Sequence, residues 1–144
     1  MKNKRFLLGM LVLTLVFGIM VSSCSNGSTG DATYSYCLLR FPNSTAFNTV
    51  FSGTGNTAPG VGYFQYLSGS KAALDSRFLA AMQTSYYEEA DEGVSLDDVR
   101  NFMKGGLKSD DLINEIITKL KNSGWVAGAV NDGSEIYALG ISRD

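Results

Sequence analysis

Histidine is absent from this chain of 144 residues. Its absence removes the commonest general base, the usual activator of a nucleophile and the commonest metal ligand. Ser-His-Asp relays, Cys-His pairs and histidine-ligated zinc are therefore excluded. Cysteine is scarce too, with only Cys24 and Cys37, so a disulfide framework is ruled out. Basic charge is in short supply, with 12 Lys and Arg against 14 Asp and Glu. A chain so balanced gains little counterion-release advantage from nucleic acid, and no nucleic-acid partner is expected.

The basic residues are also unevenly placed. Lys2, Lys4 and Arg5 stand at the extreme N-terminus, and no acidic residue precedes Asp31. An apolar run of 16 residues follows, from Phe6 to Val21, and it includes Gly9, Thr14 and Gly18. A permanent spanning helix wants about 20 residues. A basic tip before a shorter apolar run fits a cleavable export signal, with an uncleaved anchor as the alternative.

The run ends in Val21-Ser22-Ser23-Cys24, an aliphatic residue, two small residues and a cysteine. This resembles the lipobox of bacterial lipoprotein precursors. The resemblance implies that the Cys24 thiol becomes a diacylglycerol thioether, that cleavage follows Ser23 and that the new amino terminus is acylated. Several acyl chains, at about 0.8 kcal/mol per buried CH₂, hold a protein to a membrane far more firmly than one chain does. An ordinary secretory signal cut elsewhere is the competing reading. In that family an aspartate after the cysteine goes with inner-membrane retention; Ser25 stands there instead, which favours an outer-membrane or surface destination.

The expected organisation is a signal peptide over 1–23, a lipidated tether over 24–31 and a globular domain over 32–144. Ser25 to Asp31 contains no apolar residue and reads as a flexible tether reaching at most about 25 Å. Without the three leader cations, nine basic residues face 14 acidic ones, a formal charge of −5. Anionic headgroups repel such a domain, so its membrane partnership is expected through the lipid alone. With Cys24 consumed, Cys37 has no partner in the chain. Its apolar, aromatic surroundings suit a buried packing thiol; a reactive thiol or an intermolecular disulfide would be the alternatives.

The globular part reads as α+β: N-terminal strands, about three helices and a C-terminal β-hairpin. Thr33 to Phe41 is rich in β-prone residues and stops at Pro42-Asn43. Ser44 to Ser52 is ambiguous between a short helix and a strand. Gly53 to Gly62 is a loop, and Val61 to Leu67 a second strand. Ser70 caps a helix expected to run to about Tyr86, with Leu74, Phe78 and Met82 as its apolar stripe. Glu88 to Gly93 is acidic and reads as a loop. Ser95 and Asp98 match a capping box ahead of Leu96, Val99 and Met103. Ser109 caps a helix with Asp110 and Asp111 in its first turn and Gly124 as its stop. Trp125 to Val130 and Glu135 to Ile141 form a hairpin around Asn131-Asp132-Gly133.

From about Ser70 to Ile141 this order resembles a winged-helix domain, on Ser95-Leu96-Asp97-Asp98-Val99 opening one helix, Ser109 to Ser123 as the next and a wing around Asn131 to Ser134. In that family the second helix commonly enters the major groove. Here Asp110, Asp111 and Glu115 would meet the phosphates, so the likeness concerns the scaffold only.

Four patterns invite a chemical reading. Gly53-Thr-Gly55-Asn-Thr-Ala58 begins like a dinucleotide fingerprint, but Pro59-Gly60 stands where a helix should start, so these are read as loop glycines and no cofactor is expected. Ser68-Gly-Ser70-Lys71 fits the Ser-x-x-Lys nucleophile pattern, without its companion motifs; a helix start explains it, and a Ser68/Lys71 hydrolase is the remote alternative. Glu88, Glu89, Asp91 and Glu92 lack the spacing of a calcium loop and read as solvated charge, so no metal is expected. Tyr34, Tyr36, Tyr63, Phe64 and Tyr66 crowd two strands, either as core or as a stacking surface for sugars or protein. No catalytic residue emerges. The expectation is a lipid-anchored, non-enzymatic interaction module of the cell envelope whose partner is another envelope protein or polymer, with a small apolar-ligand or glycan-binding protein as the alternative.

Overall fold

The computed structural model describes residues 32–144, which form one five-stranded antiparallel sheet with four helices, an α+β fold ending in a strand hairpin. In chain order the elements are β1 (Tyr34–Phe41), α1 (Ser44–Val50), β2 (Phe64–Tyr66), α2 (Lys71–Met82), β3 (Tyr87–Val94), α3 (Leu96–Lys104), α4 (Asp110–Ser123), β4 (Trp125–Asn131) and β5 (Ile136–Arg143). The strand order across the sheet is β2-β4-β5-β1-β3, with β2 and β3 at the edges. The expected signal peptide, the lipidated Cys24 and the whole of the tether lie outside the described residues.

Two compact units divide these elements. The first holds the described part of Met1–Tyr36 with Ala90–Val126 and Ile141–Asp144; the second holds Cys37–Glu89 and Ala127–Gly140. In the first, α3 packs on α4. Val99 and Met103 of α3 and Ile113, Ile116, Ile117 and Leu120 of α4 are all buried. Both helices begin as their sequences demand. The Ser95 hydroxyl accepts from the Asp98 N–H while the Asp98 carboxylate accepts from the Ser95 N–H, a reciprocal capping box. Ser109 accepts from the Leu112 N–H at 3.2 Å. At the far end Gly124 takes φ 78°, a left-handed stop that a Cβ would strain, and returns its N–H to Leu120 O.

In the second unit α1 packs on α2, and the core is aromatic. Phe51 touches Phe47 at 4.8 Å, Phe78 at 5.7 Å and Phe41 at 6.1 Å between ring centroids. The ambiguous Ser44 segment is a helix because Asn43 caps it, its side chain accepting from the Ala46 N–H at 2.9 Å. The loop after it is held by Asn56, whose side-chain amide donates to Ser68 O and accepts from the Ser68 N–H, at 2.8 and 2.7 Å.

Four expectations are corrected. The helix expected to reach Tyr86 stops at Met82, with Gln83 as its cap. Thr84 turns the chain there by donating its hydroxyl to Ala81 O at 2.6 Å and accepting from the Tyr86 N–H. The stretch Glu88 to Gly93 is not a loop but the body of edge strand β3. Its carboxylates stay exposed on the sheet margin, where charge is tolerated and discourages pairing with another edge. The hairpin expected around Asn131-Asp132-Gly133 closes further along the chain, with the Asp132 N–H donating to Glu135 O, so its turn is centred on Gly133-Ser134. Strand β2 is also shorter than expected, covering Phe64–Tyr66 alone.

Candidate functional site

The aromatic residues that crowd the N-terminal strands do not form one surface. Tyr34 and Tyr36 are buried in the first unit, and Tyr36 stacks on Phe102 of α3 with ring centroids 3.8 Å apart. Phe64 and Tyr66 are half-buried on β2, in edge-to-face contact at 5.1 Å. Their register places Phe64 opposite Val130 and Tyr66 opposite Gly128. The Phe64 ring lies so close over Gly128 that a Cβ there would fall 2.3 Å from its Cζ. Tyr63, 71% exposed, and Val61, 67% exposed, project from the loop before the strand.

The second unit presents a two-sided sheet. Along its part of β1, Cys37, Leu39 and Phe41 are fully buried and meet the helix side through the Phe41–Phe47 contact, whereas Leu38 is half-buried and Arg40 exposed. The start of β5 and the residue before it follow suit: Ile136 and Ala138 are buried, and Glu135 and Tyr137 are only partly covered, whereas Leu139 to Ser142 are all buried. Arg40 and Glu135 meet as a planar fork. The Arg40 Nη2 donates to Glu135 Oε1 at 2.5 Å, and Nε donates to Oε2. The same Oε2 accepts the Tyr137 hydroxyl at 2.9 Å. Glu88 also approaches the guanidinium, its Oε2 3.7 Å from the same Nε.

These contacts set the charge states. Arg40's hydrogen bonds, then Tyr137's, hold the Glu135 carboxyl below its ordinary range. Glu135, with Glu88 behind it, pushes the Arg40 guanidinium higher still. Partial burial and the neighbouring carboxylate raise the Tyr137 phenol. Arg40, Glu88 and Glu135, with Tyr86 and Tyr87, border an open groove of about 530 Å³. Tyr86 is held there by its ring contact with Phe41 at 5.0 Å. The arrangement can bind polar groups from two directions, through guanidinium donors and carboxylate acceptors fixed in one place.

The other patterns lie elsewhere. Ser68 is exposed in a loop, and Lys71 Nζ is ion-paired with Asp75 Oδ2 at 2.5 Å. Burial outweighs Lys71 in raising the Asp75 carboxyl. The Gly53 to Ala58 stretch is a turn in which the Ala58 N–H is bound by Asn48, and no helix starts after it. Asp97 and Asp98 open α3, and Asp110 and Asp111 open α4. Cys37 is a free, buried thiol whose ionisation burial pushes far upward. Among the described residues no group of three or more His, Cys, Asp or Glu could hold a metal ion.

The Arg40–Glu135–Tyr137 group has no counterpart in the sequence reading, because 95 residues separate its two charged partners. Nothing local marks Arg40 beyond a lone charge inside an apolar strand, a cue that only the strand's alternation makes meaningful. Among the described residues no helix is long and apolar enough to cross a membrane. Comparison of the chain with family models, with curated proteins and with solved structures finds no match.

Proposed function

We propose that this chain is a lipid-anchored lipoprotein of the cell envelope whose folded part is a non-enzymatic binding module. The observation that carries the reading is the order basic tip, 16-residue apolar run, Val21-Ser22-Ser23-Cys24. An apolar-ligand chemistry of attachment follows from that cysteine and from nothing in the folded part, which is acidic and has its own charge repelled by anionic headgroups. The binding role draws on the absence of histidine and on the side of the second unit where Arg40, Glu135 and Tyr137 stay partly open to solvent.

Mass spectrometry of the mature N-terminus tests the anchor. The expected result is a chain beginning at Cys24 with added diacylglycerol and acyl mass, which a C24A variant lacks and which partitions with membranes while C24A does not. A parent N-terminus free of lipid mass, or equal release of parent and C24A, refutes the reading. Crosslinking of the full chain in intact cells tests the binding role. A catalytic turnover assigned to a purified chain would refute it.

A further inference from the structure

The Arg40 fork leaves binding capacity that its own contacts do not use. A guanidinium carries five N–H donors, and Glu135 takes one from Nε and one from Nη2. Glu88, at 3.7 Å from Nε, lies beyond hydrogen-bond reach and acts by charge. Those two bonds do not engage Nη1 or the second hydrogen of Nη2, and Arg40 itself borders the groove. The Glu88 carboxylate is exposed beside them and supplies acceptors. Both hydrogen-bonding senses are thus displayed by side chains, one of which is immobilised by a bidentate pair.

The charge balance decides which ligands fit. Two carboxylates against one guanidinium leave the groove with an excess of one negative charge, so an anionic ligand meets repulsion. A cationic ligand would have to share the carboxylates with Arg40, which already pairs with both. A wholly apolar ligand would strip water from three charged groups without replacing its hydrogen bonds. A neutral ligand rich in hydroxyls avoids all three costs, since each hydroxyl both donates and accepts. The half-buried Tyr86 ring, braced against Phe41, adds an aromatic surface suited to the C–H face of a sugar ring. A volume of about 530 Å³ gives room for a short oligosaccharide, within the usual range of roughly 300–1,000 Å³ for ligand sites.

We propose that the groove bordered by Arg40, Glu88, Glu135 and Tyr86 binds a neutral glycan. The proposal rests on the binding-module reading and deepens it by naming the ligand class and the site. Arg40 and Glu88 hold ring hydroxyls, Glu135 orients Arg40, Tyr137 orients Glu135, and Tyr86 stacks.

The test titrates the ¹⁵N-labelled full chain in detergent with four tetramers: uncharged chitotetraose and maltotetraose, cationic chitosan tetramer and anionic tetragalacturonate. Saturable shifts of the Arg40 Nε–H signal and of the Tyr86, Tyr87 and Glu88 amides with a neutral tetramer are the expected result. Glu135→Gln, which frees the fork, weakens that binding by about tenfold or more, while Lys108→Ala, at an exposed residue that does not line the groove, leaves it unchanged. No saturable shift with either neutral tetramer, shifts confined to other residues, or tighter binding of a charged tetramer each overturn the proposal. If Glu135→Gln does not fold, the shift map of the parent still decides. Because acylation of Cys24 is measured separately, failure here with the lipid present removes the ligand class and leaves the anchor standing, and sugar binding by a lipid-free chain does the reverse.

Discussion

Strand β1 is one run of eight residues in two different settings. Its first three residues, Tyr34, Ser35 and Tyr36, belong to the first unit and are buried whichever way they point. From Cys37 onward, in the second unit, burial alternates, with Leu38 and Arg40 on the open side and Leu39 and Phe41 inside. The first stretch is sealed by specific partners: Tyr36 by the Phe102 ring, and Ser35 by a 2.6 Å hydrogen bond to Asp144. The second is sealed on one side only, where Phe41 meets Phe47 of α1 and Phe51 just after it, the latter packed in turn on Phe78 of α2. The difference shows how a single strand can be fully enclosed at one end and half open to solvent at the other. A sheet face covered on both sides has no surface to offer a ligand, whereas a face left half open must carry polar groups that satisfy one another in water.

The largest test of this contrast is the aromatic hub. Phe51→Ala removes a fully buried ring that touches three others, and unfolding in urea is expected to show a loss of about 3–5 kcal/mol. A loss under about 1 kcal/mol would mean the second unit does not depend on its aromatic centre.

The contrast within β1 is sharpest two residues apart on one face. Tyr36→Ala should cost about 3 kcal/mol, because it strips a buried ring from Phe102. Leu38→Ala, half-buried, should cost about 1 kcal/mol. Equal losses by denaturation would erase the distinction between the sealed and the open stretch.

Gly128→Ala places a methyl where the Phe64 ring and the Gln65 carbonyl already stand, the latter 3.2 Å away. A destabilisation of about 1–3 kcal/mol is expected. Phe64→Ala in the same chain should recover only part of it, since the carbonyl contact persists. Full recovery would assign the crowding to the ring alone. Ser95→Ala, which breaks the capping box of α3, should cost about 1 kcal/mol, read as a lowered melting temperature.

The smallest effect is the acid response of the open face. The Glu135 carboxyl is held below its ordinary range in the fold, chiefly by Arg40. Its stabilisation is therefore present above the unfolded glutamate value, about 4.3, and fades as pH falls through the lower folded value. Melting curves of the parent and Glu135→Gln should differ near neutrality and approach one another as the pH falls below the unfolded glutamate value. A gap that persists at pH 2 would place the pair's contribution in packing and not in charge.

Much of this fold can be read in the chain because its signals are local. Ser70, Ser95 and Ser109 each announce the helix that follows, through a hydroxyl that accepts from the backbone N–H three residues ahead. Gly124 announces an end through a φ that other residues resist. The apolar spacing of Leu74, Phe78 and Met82 marks a buried stripe, as does that of Ile113, Ile116, Ile117 and Leu120. β3 escaped because Tyr87-Glu-Glu-Ala-Asp-Glu-Gly-Val94 has neither strong β-propensity nor an apolar face. It is a strand through pairing at the sheet edge, where the side chains need not be buried. The candidate site was illegible for a related reason: aromatic crowding pointed to Tyr34 and Tyr36, which are core, while Arg40, Glu135 and Tyr137 carry no joint signature.

What the residues determined alone was everything that acts within about a turn of the backbone: where helices start and stop, which positions are apolar, and the leader pattern ending at Cys24. Tertiary structure decided what depends on distant pairs. It brought Arg40 to Glu135, made an acidic segment a strand, and chose which of two apolar alternations would be sealed by rings and which left in contact with water. The physical reason is range, since a cap or a periodic stripe is an interaction of neighbours, whereas strand order and ion pairs form only once chain segments far apart in sequence have met.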